Sequence, residues 1–314
     1  MLDLEWDRVA RGEWQALLAG ARSGLQQGWS YGEALRASGI VVHRAVARGP
    51  DGRPVACLQL AERRVLGRFG LSFLLRGPVW LAPEQRVASE RALLFQIMRR
   101  LGRRPLIWAP EVPSPLARRP IITGYSTSWL DLSPPLARLR RDLATDWRAG
   151  LRQAEAGPLG VLEHPGSQAL AWLLDRNEAQ RRAVGYRGPR REFLERLARV
   201  AADAEELVLL IAREASEPVA GVMLLRHGRS ATYEVGHVTA RGRALRATHL
   251  LLWRGIEQLA HAGVRWLDLG GIATNRSPGL AHFKLGLGGT VVTLPGTFLR
   301  VGGCGWRDHD GPGS

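Results

Sequence analysis

The chain has 314 residues, 45% of them hydrophobic and eleven of them tryptophan, with a formal net charge of +15. Such a length fits two domains with sizeable cores and excludes a disordered chain. Two distant cysteines, Cys57 and Cys304, exclude a disulfide framework and suit a reducing compartment, while no apolar run reaches the roughly 20 residues that span a bilayer.

The opening MLDLEWDRVARGEW is acidic and amphipathic rather than a secretory leader, so the expected location is the cytoplasm. Helices are expected at 13–20 and 31–38. IVVHRAVARGPDGRPVACLQLAERR reads as a hairpin turning at Gly49-Pro50-Asp51-Gly52, and LSFLLRGPVWL as a strand ended by Gly77-Pro78. A helix over 83–101, a buried strand LIWAP and a strand near 125–132 complete the first half. PPLARLRRDLATDWRAGLRQAEAG then predicts one long basic helix, followed by the strand LGVLEH and helices near 168–184 and 190–202. A three-strand meander follows over ELVLLIARE, VAGVMLLRHG and SATYEVGHVT. Next come the helix ALRATHLLLWRGIEQLAHAG, the buried strand VRWLDL, a short helix HFKLG and a final strand TVVTLPGTFLRV. This order implies an α/β fold with mixed sheets and helices on their faces.

The basic residues carry an anomaly. Of 44, a single one is lysine, Lys284, and it lies in WLDLGGIATNRSPGLAHFKLGLGGT. A GC-rich coding bias accounts for arginine in general, so the +15 charge permits a nucleic-acid or phosphate partner without requiring one. The one surviving ammonium is either a chance lysine codon on a solvated turn or a functional group. A compact ammonium can sit at a single oxygen that becomes negative, whereas the arginine fork prefers bidentate oxyanions. Asp268, Gly270 and Gly271 stand at the C-terminal end of a predicted strand, where ligand crevices open. Asp268 can orient Lys284, accept a proton or cap its own loop. Arg148 and Arg152 share one helix face and can grip a phosphate together. No base is assigned among His237, His249 and His282, and no metal-ligand spacing occurs.

Several stretches resemble the FemABX family of aminoacyltransferases within the GNAT-type acyltransferases. DWRAGLRQAEAGPLGV is similar to one family segment, RNEAQRRAVGYRGPRREFLERL to the next, and D-L-G-G followed by F-K resembles the C-terminal signature. Leu287 replaces the second aromatic of that signature, and there is no coiled-coil insertion. The resemblance implies two tandem GNAT-like domains, 1–140 and 141–314. It implies Lys284 and Asp268 as catalytic residues. As substrate-binding residues it implies Trp147, Arg148, Arg152, Arg181, Arg182, Tyr186, Gly270, Gly271 and Phe283. It further implies no permanently bound cofactor, an aminoacyl-tRNA donor with tRNA as partner, and an amine acceptor such as a peptidoglycan precursor met at a membrane surface. Two alternatives stay open. One is acetyl-CoA as donor, although VTARGRALRATH lacks the clean glycine spacing of a CoA pyrophosphate loop. The other is a non-catalytic GNAT-like protein that binds nucleic acid.

Overall fold

The computed structural model describes residues 2–65, 69–163, 165–185, 188–272 and 278–302. The first half runs β1 (Asp3–Trp6), α1 (Arg11–Ala19), α2 (Trp29–Arg36), β2 (Val41–Arg48), β3 (Pro54–Val65), β4 (Phe69–Leu75), β5 (Val79–Trp80), α3 (Arg86–Leu101), β6 (Leu106–Ala109) and β7 (Ser126–Asp131). The second continues with α4 (Leu136–Asp142), α5 (Thr145–Glu155), β8 (Leu159–Glu163), α6 (Ser167–Val184), α7 (Arg191–Asp203), β9 (Leu207–Glu214), β10 (Glu217–His227) and β11 (Ser230–Val238). It ends with α8 (Ala240–Ala244), α9 (Ala247–His261), β12 (Trp266–Ile272), α10 (Pro278–Leu285), β13 (Thr290–Thr293) and β14 (Phe298–Arg300).

Two mixed sheets form, each built on the same plan. The first has the order β1-β2-β3-β4-β6-β14 with β5 added beside β3, the second β13-β7-β12-β11-β10-β9-β8. Every neighbouring pair is antiparallel except one per sheet: β4 with β6, and β11 with β12. Each parallel pair is joined across a helix, α3 in the first sheet and α9 in the second, as parallel strands require. This is a two-domain GNAT-like α/β fold. The sheets also exchange strands, since β7 enters the second sheet and β14 returns to the first. A cut at residue 140 therefore leaves each sheet with one strand from the other side.

The helices form where apolar residues recur at helical spacing. Leu194, Leu197, Ala198 and Ala201 bury one stripe of α7, and Leu252, Ile256 and Leu259 one stripe of α9. Each such leucine contributes about 2 kcal/mol by leaving water. The α5 and α9 side of the second sheet forms one core, with Trp147, Leu151, Leu210 and Leu267 at its centre. The other face packs on α6 and α7, and Leu25 and Ala34 of the first half belong to that same core. Polar contacts reinforce the junction: Gln15 donates to Glu206 at 2.7 Å, and the Ser23 amide to Ser230 Oγ at 3.2 Å.

Two expectations are corrected. The long basic helix is two helices, because Leu143 and Ala144 are extended and the Ala144 amide leaves the ladder to bond Gly286 O at 2.9 Å. The final strand is likewise two, β13 and β14, because the chain turns at Leu294-Pro295-Gly296 and crosses between sheets. Among the described residues no helix is long and apolar enough to cross a membrane.

Candidate active site

The parallel pair of the second sheet is joined for a short distance. Ser230 to Thr232 register with Trp266 to Asp268, and beyond them β11 and β12 no longer pair. Two bulges flank the opening. On β12 the register with β7 slips between Asp268 and Gly271, and Gly270 takes φ +75°, a conformation glycine adopts without steric cost. On β11 the register with β10 steps from Val235 to Tyr233 and leaves Glu234 as the extra residue.

Lys284 comes to this opening from the last turn of α10, where Ala281 and Lys284, three apart, are the buried residues. It is 8% exposed, and its Nζ donates to Gly271 O at 3.0 Å. The Tyr233 ring lies 5.9 Å from the ammonium. Lost hydration lowers the Lys284 pKa to about 8, with the Asp268 charge opposing that drop. The ammonium thus survives at neutral pH while little water competes for its remaining N–H bonds.

Asp268 is fully buried and amply supplied with donors. Its carboxylate accepts from the Gly270 amide at 2.8 Å, from Thr127 Oγ1, and from Arg76 Nη1 at 2.8 Å. The first of these bonds closes the β12 bulge, the loop-capping role open to Asp268 from sequence. Arg76 comes from the first half and is itself gripped by Glu111, with Nη2 to Oε1 at 2.7 Å and a second bond from Nε. Glu234 lies partly open on the β11 side. Burial, then the nearby Asp268 charge, push its carboxyl up to about 7. Tyr31 of α2 faces it, raised by burial and by the Glu234 charge, with its ring edge-on to Phe193 at 5.3 Å.

Residues 137–285 match the family model of a GNAT acetyltransferase domain. Over this stretch the chain carries a GNAT acyltransferase domain. The structure of FemX has a TM-score of 0.77 at 13% identity, covering 95% of this chain and 97% of that one. A tandem GNAT protein from the clavulanic acid biosynthesis pathway scores 0.54 at 15% identity, covering 95% and 98%. The C-terminal domain of a proposed lysylphosphatidylglycerol synthetase from Agrobacterium fabrum scores 0.53 at 15% identity, covering 93% and 92%. At these identities the solved structures share the fold. No curated protein matches in sequence.

In this GNAT domain the segment after β11 is internally bonded. The Gly242 amide goes to Thr239 Oγ1 at 3.0 Å, and those of Arg243, Leu245 and Arg246 go to carbonyls of the same segment. Gly242 is buried, and a Cβ there would run into Val219 O. Arg241 is bound to Glu214, with Nε to Oε2 at 2.7 Å.

The remaining sequence candidates lie apart from the opening. Trp147 is 2% exposed and stacks on Phe283 at 5.8 Å, with His249 edge-on to Phe283 at 4.9 Å, so Trp147 and Phe283 form the packing behind α10. Arg148 and Arg152 sit on the outward side of α5, opposite Trp147 and Leu151, and Arg148 Nη1 bonds Arg141 O at 2.6 Å. Arg181 and Arg182 share Glu178, at 2.7 and 2.8 Å. Tyr186 lies outside the described residues. Of the histidines, His282 pairs with Asp146 at 2.8 Å, and burial, then Arg246, hold His249 down at about 4.

Sequence reasoning missed Arg76, Glu111, Thr127 and Glu234. One signal was available: Glu234 is a lone acid inside the apolar strand SATYEVGHV. For Arg76 the cue was weak, an arginine before Gly77-Pro78 that takes φ +53°.

Proposed function

We propose that the chain transfers an aminoacyl group from aminoacyl-tRNA to an amine acceptor, such as a peptidoglycan precursor in the cytoplasm. The observation that carries this reading is the buried Lys284 ammonium, fixed by Gly271 O at the mouth of the β11–β12 opening. The acceptor nitrogen attacks the ester carbon, and Lys284 donates to the oxygen as it becomes negative. The nitrogen's proton passes to Glu234, whose carboxyl near pH 7 suits a base at neutral pH. Collapse breaks the carbon–oxygen ester bond, forms the amide, and returns that proton to the departing ribose hydroxyl. Asp268, with its carboxylate held by three donors, positions the bulge rather than moving protons.

The donor choice rests on the segment after β11. The Gly242, Arg243, Leu245 and Arg246 amides are bonded within the segment and Arg241 is held by Glu214, which reduces the donors left for a pyrophosphate. Acetyl-CoA is the second reading, favoured by the acetyltransferase description of the matched family. Purified protein offered radiolabelled aminoacyl-tRNA or acetyl-CoA with a panel of amines decides between them. Label should reach an amine from the aminoacyl ester. Label arriving from acetyl-CoA alone would replace the donor. No transfer from either, with strongly salt-dependent RNA binding, would make the chain a binding protein.

A further inference from the structure

The two parallel pairs end differently. In the second sheet the pair stops at Thr232 with Asp268, and Lys284 bonds Gly271 O just beyond it. In the first, β4 and β6 pair as far as Leu75 with Ala109, and the next residues close the gap. The Arg76 amide bonds Ala109 O at 2.7 Å, and its guanidinium takes both oxygens of Glu111. Arg76 and Glu111 are 8% and 9% exposed. From this closed end Nη1 reaches into the other domain and meets Asp268. Gly24 leaves the passage clear: a Cβ there would sit 2.8 Å from Arg76 Cβ and Nε.

We propose that Arg76, gripped by Glu111, is a positioning residue for the second domain's centre, and that the first domain serves as a brace rather than as a second acyl-transfer site. The chain of contacts is continuous. Glu111 fixes Arg76, Arg76 holds Asp268, Asp268 closes the β12 bulge through the Gly270 amide, and the bulge aims Gly271 O at Lys284. Every link is a directed hydrogen bond, between buried or half-buried residues except at the last, where the acceptor residue Gly271 is exposed. Displacing the first link by an ångström would displace the ammonium from the oxygen it serves, a scale of misplacement that costs about 10²-fold in rate. The inference rests on the proposed role of Lys284.

The test exploits the solitary lysine. Protein grown on lysine with 15N at Nζ carries one labelled side chain, whose titration NMR follows without any turnover. The groups that act on that ammonium are the Asp268 charge and the Tyr233 ring at 5.9 Å, with Arg76 and Glu234 acting in turn on Asp268 or under its charge. In Arg76→Gln, Asp268 loses its cationic partner and its full charge falls on Lys284. The lysine should titrate about one pH unit higher than in the wild type, and kcat should fall about 10²-fold with KM nearly unchanged. Arg76→Lys keeps a cation for Asp268 but loses the two-pronged hold on Glu111. It should titrate as the wild type does, with kcat restored only partly, to about 10-fold below the wild type. A lysine titration in Arg76→Gln that is unchanged or lower overturns the brace. So does wild-type kcat in Arg76→Lys, which decides the matter if Arg76→Gln fails to fold. Lys284→Met run alongside separates the two ideas: full turnover there removes the catalytic reading, whereas its loss beside an unaffected Arg76→Gln removes only the brace.

Discussion

The ends of the two parallel strand pairs teach the most about this molecule. Both sheets place a parallel pair beside a crossover helix, so the backbone offers the same opening twice. At the first end a bidentate ion pair occupies the gap, and its arginine is spent on a carboxylate of the other domain. At the second end no such pair forms among the described residues. The Lys284 ammonium there bonds Gly271 O, and Glu234, the extra residue of the β11 bulge, has its carboxyl pushed up to about 7 by burial and then by the Asp268 charge. On the proposed reading, one end of the duplicated architecture serves the reaction and the other holds it in place.

The largest effect that would break this contrast is on the ammonium. Lys284→Met removes the donor to the developing oxyanion and should lower kcat by about 10²–10³. Single-turnover kinetics check this directly, and a kcat within a few-fold of the wild type would return the second end to the same passive status as the first.

Glu234→Gln should cost about 10² in kcat at pH 8. The carboxyl must lose its proton to accept one, and the ammonium must keep its own. Activity should therefore rise through about pH 7 and fall through about pH 8. The variant should lose the acidic limb of kcat/KM and keep the alkaline one. An acidic limb that persists in Glu234→Gln assigns the proton transfer elsewhere.

A smaller effect tests the closed end. Gly24→Ala puts a methyl against Arg76, and the side chain must shift. Overpacking of this kind costs about 1–3 kcal/mol in stability, and kcat should fall by about 10-fold with KM held, since the disturbance reaches Lys284 only through Asp268. Denaturant melts and steady-state kinetics on the same preparation give both numbers. Lost stability with full kcat would show that the closed end braces the fold but not the site.

What the sequence disclosed follows the same division. The C-terminal half of the site is contiguous in character: Asp268, Gly270, Gly271 and Lys284 fall within seventeen positions, and a lone lysine among arginines marks itself. Helices α7 and α9 were legible because their apolar residues repeat at helical spacing. The strand exchange was not, because no local pattern tells β7 or β14 which sheet to join. Arg76 meets Asp268 across 192 positions, and such a pairing leaves no periodicity to find. The break at Leu143–Ala144 was hidden for a similar reason. The amide that leaves the helix is claimed by Gly286, far along the chain.

The smallest effect concerns stability and runs opposite to the loss of activity. Lys284 is held at about 8 against an ordinary 10.5, so the folded protein carries a charge that it would more readily give up. Below pH 8 both folded and unfolded chains hold the proton, and the full cost of burying the ammonium applies, roughly 3 kcal/mol. Between 8 and 10.5 the unfolded chain binds more protons than the folded one, so stability rises with pH until the cost is gone. Lys284→Met never bears that cost, though it gives up the bond to Gly271 O, a carbonyl of an exposed residue that water can satisfy. The variant should be about 1–2 kcal/mol more stable than the wild type at pH 7, with the gap closing toward pH 10. Urea melts at the two pH values measure it. A variant that is less stable at pH 7, or a gap that ignores pH, would mean that the ammonium sits in a hydrated site, where its power over a carbonyl oxygen would be correspondingly weak.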